Sequence, residues 1–400
     1  METFAGGKKI LVVTSTLPWP PLGAGQQDRL EGILQLRRLG YEVEVFVKVY
    51  KREYSALEEV QKATGIRFVA AAFRSEQEGM RTRNLWRRLS RPRFWDGSCA
   101  EFGDRQTTRL FDAELESFKP CAVLADFTYT WPLVERARRR SIPSYLRSHN
   151  YEPRHFLEEN PKKLFRLPLY LLKELNERLA VRLAKHVFAI NPQEARDYLR
   201  WRANVSVLPL RKLPTYVERE IHRVQDGSVL NVFFLGSTYN VRHNAEALRF
   251  ILTQIIPRVR SRWPGKFVFH FLGKKFPDDM RLYLGKDAAY EGYVDDIEVF
   301  LEGMDIALAP SLLGAGMQQK IFEPLARGIP VISNGKGISE YPFEHGLEVF
   351  LADSVEEYLE AFEALIEMEV RKRLSSRARK KAVEIFSSDR LDSVILEVLP

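Results

Sequence analysis

The residues between Gly314 and Ile332 have the types and the spacing of a nucleotide-binding site. The segment reads as a glycine turn, a short amphipathic helix and a buried strand. The turn offers free backbone N–H groups at a helix N-terminus, where an anionic group is favoured. Glu323 follows about two turns later, so its carboxylate can reach a neutral polar group beside that anion. A diphosphate with a ribose attached fits this arrangement.

Other polar residues that follow predicted strands could contact the same kind of ligand. Gly25 would let the backbone approach an anion or a sugar. Gly236 and Ser237 end a strand, and Arg242 follows with a guanidinium suited to bidentate phosphate contact. His149 lies just past another strand, where polar side chains point into the crevice of a parallel sheet. For each of them the alternative is a structural turn or an ordinary loop residue.

Motifs for metal, cofactor and nucleophilic chemistry are missing from the sequence. It has no H-E-x-x-H, no short-spaced cysteine pair, no Walker lysine motif and no G-x-S-x-G elbow. The G-x-G-x-x-G fingerprint is absent as well, which argues against NAD. We therefore expect no metal and no resident cofactor.

Length and composition indicate two α/β domains. Four hundred residues exceed one ordinary core, and 45% of them are hydrophobic. Two cysteines make no disulfide framework, which favours a reducing cytoplasm. No signal peptide is visible, and no apolar run reaches the roughly 20 residues of a membrane helix. We expect a soluble or peripheral protein.

The positive charge is concentrated in the N-terminal half. Residues 1–210 hold 36 Lys and Arg against 25 Asp and Glu, whereas residues 211–400 hold 25 against 28. Arginines occur with Trp86 in an acid-free stretch at 81–93, and Phe94 and Trp95 follow it; this mixture suits an anionic membrane interface. RNA binding or a plain solvated loop are the alternatives. The predicted membrane or acceptor surface consists of Arg83, Trp86, Arg87, Arg88 and Trp95.

Short apolar strands alternate with helices in both halves of the chain, including helices at Glu101–Phe118 and Ala245–Arg260. This βα pattern predicts an α/β fold of two Rossmann-like, doubly wound parallel-sheet domains that face each other across a cleft. The predicted boundaries are an N-terminal, acceptor-binding domain at 1–210, a linker at 211–228, a C-terminal, nucleotide-binding domain at 229–385, and a C-terminal helix at 386–400 that packs back on the first domain.

Several segments occur in an order that is typical of one enzyme family. They are His149-Asn-Tyr-Glu, Ala189-Ile-Asn-Pro-Gln-Glu, Phe234-Leu-Gly-Ser-Thr-Tyr, Tyr290-Glu-Gly-Tyr-Val-Asp-Asp-Ile, Ala309-Pro-Ser, Gly314-Ala-Gly and Lys320-Ile-Phe-Glu-Pro-Leu-Ala-Arg-Gly-Ile-Pro-Val-Ile. Together they resemble the retaining nucleotide-sugar glycosyltransferases of the GT-B fold, the large group 1 (family 4-like) group. The similarity spans nearly the whole chain and is weakest over residues 70–115.

The resemblance implies a role for each candidate residue. Glu323 matches the carboxylate that holds the ribose hydroxyls of the donor, and His149 matches the histidine that hydrogen-bonds the transferred sugar. Gly25 would approach the diphosphate from the other domain. The remaining donor-binding positions are Gly236, Ser237, Gly314, Ala315, Gly316 and Met317. Catalysis would be electrostatic, with N–H groups and cations stabilising the leaving diphosphate and no required metal.

Two departures from the family pattern affect the donor site. The family's Glu-x7-Glu motif places its first Glu at Ala315, so the choice of donor sugar cannot be carried over. The Arg/Lys pair that clamps the diphosphate is incomplete, which leaves Arg242 and Lys320 as the candidate cations.

The leading prediction is a hexosyltransferase that moves a sugar to a lipid-linked or cell-surface glycan acceptor. It would be cytoplasmic and peripheral at the inner face of the membrane. One alternative is a GT-B sugar-nucleotide epimerase or hydrolase. Another is a non-catalytic glycan-assembly or nucleic-acid-binding protein, although no RNA-binding module is recognisable.

Overall fold

The computed structural model describes residues 7–76, 92–160, 166–202, 204–314 and 316–400. These residues form two compact units, and each contains one parallel sheet. The first unit is Met1–Lys212 together with Leu391–Pro400, and the second is Leu213–Arg390.

The first unit is a seven-stranded parallel sheet with the order β3-β2-β1-β4-β5-β6-β7. Its strands are β1 (Lys9–Thr14), β2 (Glu42–Val49), β3 (Arg67–Ala72), β4 (Ala122–Asp126), β5 (Ser144–Arg147), β6 (His186–Ala189) and β7 (Val205–Val207). Ile10 lies opposite Val43 of β2 and opposite Ala122 of β4. Continuous apolar strands such as β1 form because helices cover both faces of the sheet.

Eight helices lie in the described part of this unit before residue 213. They are α1 (Ala24–Arg38), α2 (Tyr54–Thr64), α3 (Gly97–Phe102), α4 (Arg105–Phe118), α5 (Trp131–Arg139), α6 (Glu152–Glu159), α7 (Arg166–Leu183) and α8 (Pro192–Leu199). The helix predicted over 101–118 is two helices, because the Asp104 side chain accepts from Thr107 N and starts a new one after Gly103. Sequence reasoning missed α6 altogether.

The second unit is a six-stranded parallel sheet with the order β10-β9-β8-β11-β12-β13. Its strands are β8 (Leu230–Thr238), β9 (Phe267–Lys274), β10 (Ala288–Gly292), β11 (Ile306–Ala309), β12 (Val331–Ser333) and β13 (Phe350–Leu351). Its helices are α9 (Leu213–Val217), α10 (Arg242–Phe250), α11 (Ile256–Arg262), α12 (Ile297–Glu302), α13 (Gln319–Arg327), α14 (Val355–Ile366) and α15 (Met368–Phe386). A π-helical turn at Ile251–Ile255 joins α10 to α11 within the single helix predicted there.

The segment expected to be a linker contains a short helix, α9. Tyr216 of this helix is buried, and the Arg327 guanidinium of α13 stacks over its ring at 4.4 Å. This contact fixes α9 within the second unit.

The chain ends with α16 (Ser388–Leu396). Leu391, Ile395 and Leu399 are buried in the apolar core of the first unit. Gln35 Nε2 of α1 donates to Asp392 Oδ1 at 2.7 Å. The last ten residues are therefore held by both apolar packing and a hydrogen bond.

None of the helices in the described ranges is long and apolar enough to cross a membrane.

Candidate functional site

The loop between β11 and α13 depends on two glycines. Gly314 has φ of 108° and Gly316 has φ of 77°, a region that L-residues rarely adopt. The Gln318 amide donates to Ser311 Oγ at 2.7 Å, and Ser339 Oγ donates to the Gly316 carbonyl at 2.9 Å. The loop shape is thus fixed by hydrogen bonds at both ends.

Lys320 is a buried cation in the first turn of α13. Its side chain is 7% exposed, and Nζ lies 5.1 Å from the centre of the Phe234 ring on β8. Nζ has no hydrogen-bond acceptor among the residues that the structure describes. Burial lowers the pKa of Lys320 to about 7. The charged form therefore needs an anion from outside, at a helix end that already favours one.

Glu323 lies one turn further along α13 and is 3% exposed. Its Oε1 accepts from Arg327 Nη2 at 2.7 Å, and its Oε2 accepts from Gln319 Nε2 at 2.8 Å. Arg327 also donates to Glu298 of α12 at 2.5 and 2.8 Å. Burial would lower the pKa of Arg327, but Glu298 and Glu323 raise it above its ordinary value. Residues on both sides therefore hold the carboxylate in one orientation.

The end of β8 lies close to the end of β9. Gly273 has φ of 134°, and a Cβ placed there would lie 2.0 Å from the Gly236 carbonyl oxygen. Gly236 itself has no room for a side chain, because its Cβ would lie 2.9 Å from the Tyr239 ring. Gly273 is required by the close approach of the two backbones, and Gly236 by the Tyr239 ring that packs against it.

The remaining predicted donor residues of the second unit lie at the end of β8, at the start of α10 and in the loop. Ser237 is exposed at the end of β8, and Arg242 is half-buried as the first residue of α10. Met317 is buried in the loop, and Ala315 lies outside the described residues. A Cβ on Gly314 would lie 3.9 Å from His243 Cβ, so the loop and the start of α10 are neighbours. The structure thus brings the second-unit candidates together around the β8 end, the loop and α13.

In the first unit, Gly25 is the second residue of α1. A Cβ placed there would meet only the Arg29 guanidinium, at 4.0 Å. The start of this helix is therefore open enough for a ligand to approach the backbone.

His149 lies between two buried aspartates. Its Nε2 is 2.7 Å from Asp126 Oδ1, its Nδ1 is 3.6 Å from Asp28 Oδ2, and its ring stacks on Phe127 at 4.4 Å. Burial lowers the pKa of His149 below its ordinary value, although both aspartates oppose the shift. Both ring nitrogens therefore face carboxylates.

Three arginines neutralise these aspartates. Arg211 Nη2 donates to Asp28 at 2.7 Å, Arg147 lies 3.7 Å from Asp28, and Arg29 lies 3.2 Å from Asp126. Burial alone would raise the pKa of both aspartates. The cations instead hold the pKa of Asp28 well below its usual range, and His149 with the arginines lowers that of Asp126 to about 2. Sequence reasoning missed this cluster, for which the signal was Asp126 at the end of an apolar strand.

Of the predicted membrane or acceptor surface, the described part of the structure contains Trp95. It ends a short 3-10 turn, Pro92–Trp95, and is 53% exposed. Arg83, Trp86, Arg87 and Arg88 lie outside the described residues. The described residues also contain no cluster of three His, Cys, Asp or Glu side chains that could hold a metal ion.

Comparison with known proteins assigns the family. Residues 27–211 match the family described as Glycosyl transferase 4-like domain, and residues 230–368 match Glycosyl transferases group 1. The chain belongs to the group 1 glycosyltransferases. The two matches fall in the two units, and the parallel sheets confirm the predicted GT-B type of α/β fold.

Solved structures share the fold of this glycosyltransferase at low sequence identity. Sucrose-phosphate synthase from Thermosynechococcus elongatus has a TM-score of 0.66 at 12% identity, over 98% of both chains. Anabaena Alr3699/HepE in complex with UDP and glucose has a TM-score of 0.65 at 14% identity, over 98% of this chain and 99% of that one. The UDP-GlcNAc 2-epimerase from Neisseria meningitidis has a TM-score of 0.54 at 17% identity, over 98% and 99%. Comparison with curated protein sequences found no match.

Proposed function

We propose that this protein moves a hexosyl group from a nucleotide-sugar donor to a lipid-linked or cell-surface glycan acceptor, with retention of the anomeric configuration. The observation that carries the proposal is Lys320, a buried cation whose Nζ has no described acceptor at the N-terminus of α13. A donor diphosphate is the anion that such a position fits.

The proposal gives the second-unit residues the following roles, which their placement and the family resemblance support. The α13 N-terminus, Lys320 and Arg242 stabilise negative charge on the diphosphate as the bond from the anomeric carbon to its oxygen breaks. Glu323 accepts hydrogen bonds from the ribose hydroxyls. The acceptor hydroxyl then bonds to the anomeric carbon on the face that the diphosphate leaves, and its proton passes to the leaving phosphate. No metal is needed for this charge balance.

The other donor contacts remain proposals from the resemblance. Gly236, Ser237 and the 314–317 loop would present backbone N–H groups to the sugar and the diphosphate. Gly25 would contact the diphosphate, and His149 the transferred sugar. For His149 this contact must compete with Asp126, which lies 2.7 Å from Nε2.

A thermal-shift screen of UDP, GDP, ADP and CMP tests the donor site. UDP comes first, because the HepE structure contains UDP. A nucleotide at about one hundred times its dissociation constant stabilises the fold by about 2.7 kcal/mol. We expect Lys320→Met and Glu323→Gln each to abolish the shift, whereas Lys336→Met, a lysine in a different loop, retains it. If no nucleotide stabilises the wild type, the donor-site proposal is wrong.

The epimerase is the second candidate, because its fold is also similar. Incubation of the sugar nucleotide alone separates the two activities. An epimerase converts the donor without an acceptor, whereas a transferase requires one. Proton NMR of the product's anomeric centre then tests retention, and activity in EDTA tests the absence of a required metal.

For the acceptor, we propose a lipid-linked or surface glycan at the cytoplasmic face of the membrane. The support is the charge of residues 1–210, where 36 Lys and Arg outnumber 25 Asp and Glu. Neutralising the arginines of the 81–93 stretch should weaken binding to anionic vesicles at low salt. Unchanged binding would show that this stretch is not the contact.

A further inference from the structure

Helix α7 exposes leucines along one face. Leu167, Leu171 and Leu175 are 66%, 52% and 61% exposed and lie four residues apart. Residues at this spacing lie above one another on a helix. The opposite side of α7 is held in the first unit by the buried residues Asn176, Glu177, Ala180 and Val181. We name Leu167, Leu171 and Leu175 the leucine face.

Single exposed leucines are ordinary on protein surfaces, but an aligned set is not. On the side of α7 away from these leucines, Lys173 Nζ lies 3.3 Å from both carboxylate oxygens of Asp96. This ion pair holds α7 in the first unit by its other side and leaves the leucine face exposed.

The same face of α7 continues into cations. Arg178 and Arg182 follow Leu175 at three and seven residues, and both are exposed. Arg178 pairs with Glu174 at 3.2 Å, and Glu174 also accepts from the Tyr151 hydroxyl. The other acid on this helix, Glu177, is buried. The exposed surface thus combines leucines with basic side chains, as on helices that lie in a membrane interface.

We infer that the leucine face, with Arg178 and Arg182, is a surface by which the first unit lies on an anionic lipid bilayer. This inference rests on the proposed lipid-linked acceptor. It assigns membrane contact to α7, a helix that has no role in the proposed donor site. A second copy of the chain is a poorer fit to the leucine face than a bilayer is, because three leucines do not supply the roughly 800 Å² that each partner buries in a stable interface. A bilayer requires only insertion of apolar side chains and attraction of the cations.

Vesicle flotation of the full chain tests this surface. The probes are phosphatidylcholine vesicles with and without phosphatidylglycerol. We expect Leu171→Glu to reduce binding to the anionic vesicles by more than about tenfold, and Leu167→Glu/Leu171→Glu/Leu175→Glu to abolish it. Leu282→Glu is the matched control, because Leu282 is 72% exposed in the second unit, and it should bind as the wild type does.

The cations have a separate readout. Arg178→Gln/Arg182→Gln should lower binding to the anionic vesicles and reduce its salt dependence. The melting temperature and the nucleotide-induced thermal shift of every variant check that the fold and the donor site are intact. Nucleotide binding and vesicle binding are separate measurements. A failure of the donor-site proposal can therefore be distinguished from a failure of the membrane-surface proposal.

Three results would overturn the inference. The wild type could fail to bind anionic vesicles, or the triple variant could bind them as the wild type does. Light scattering could instead show a dimer that the triple variant converts to a monomer, which would make the leucine face a subunit interface.

Discussion

Replacing Arg327 with Met should destabilise the second unit and loosen Glu323. Arg327 is 8% exposed, and its guanidinium binds Glu323 and Glu298 and stacks on the Tyr216 ring at 4.4 Å. Methionine keeps much of the apolar contact but leaves the Glu323 carboxylate, 3% exposed, with only the neutral donors Gln319 and Tyr216 among the described residues. Breaking one side of a buried ion pair costs about 3–5 kcal/mol.

We expect a loss near the lower limit, about 3 kcal/mol, because Glu298 is partly exposed and retains Arg219. Urea unfolding at neutral pH measures this loss. Glu298→Gln is the control, because it removes the exposed partner and should cost less than about 1 kcal/mol. Arg327→Lys restores the charge without the planar fork and should recover only part of the difference.

The same variants separate positioning from simple stability. Below the unfolding transition, Arg327→Met should weaken UDP binding by about tenfold, which is about 1.4 kcal/mol. Glu298→Gln should have a smaller effect on binding. If Arg327→Met costs no more than Glu298→Gln in both assays, Glu323 does not depend on Arg327 for its orientation and our reading of this network is wrong.

Three further predictions concern other residues. Lys320 has a pKa of about 7, so at about pH 8.5 it is mostly neutral, and binding of UDP should be accompanied by uptake of close to one proton. Calorimetry in two buffers of different ionisation enthalpy should detect this proton uptake. The Lys320→Met variant should show none. Asp126 has a pKa of about 2 against an ordinary 3.8, so its charge stabilises the fold above pH 4, and this stabilisation is lost as the pH falls to 2. The loss of unfolding free energy caused by Asp126→Asn should therefore be about 2 kcal/mol smaller at pH 2 than at pH 7. An equal loss at both pH values would contradict the lowered pKa of Asp126. Gly273→Ala should lower the free energy of unfolding by more than about 3 kcal/mol, because its Cβ would clash with the Gly236 backbone. Gly265 also has positive φ but has open space around its Cβ, so Gly265→Ala should cost only the backbone strain of about 1–2 kcal/mol. Equal losses on urea unfolding would mean that the backbone approach at Gly236 is not rigid.

The sheets could be predicted because their signals are local. An apolar run such as residues 10–13 is a buried strand by composition alone, and the alternation with helices implies parallel order. Two helix boundaries could not be predicted in this way. The break at Gly103 is recognised only from the capping contact of Asp104, and α6 begins after Tyr151 with no capping side chain. The first detail depends on a short polar contact and the second helix has no capping signal, so a hydrophobic pattern predicts neither.

The candidate site was predictable only where its residues are close in sequence. The 314–323 segment holds its glycines, its lysine and its glutamate within ten residues, and the structure places them on one loop and one helix. By contrast, Asp28 and Arg211 are 183 residues apart and meet at 2.7 Å. No single-sequence pattern pairs them, because any of the many arginines could have been the partner.

The buried aspartates of the first unit have charged partners, whereas the buried lysine of the second unit has none among the described residues. This difference indicates a structural role for the first group and a binding role for the second. Asp28 and Asp126 are buried, but arginines lie beside both carboxylates, so their charge is balanced within the first unit. Lys320 is also buried, and no described residue accepts a hydrogen bond from its Nζ. A buried ammonium group without a partner is unfavourable, and burial accordingly lowers the pKa of Lys320 to about 7. An anion that binds at the start of α13 would supply this partner, and we therefore expect donor affinity to depend more on Lys320 than on any charged residue of the first-unit cluster.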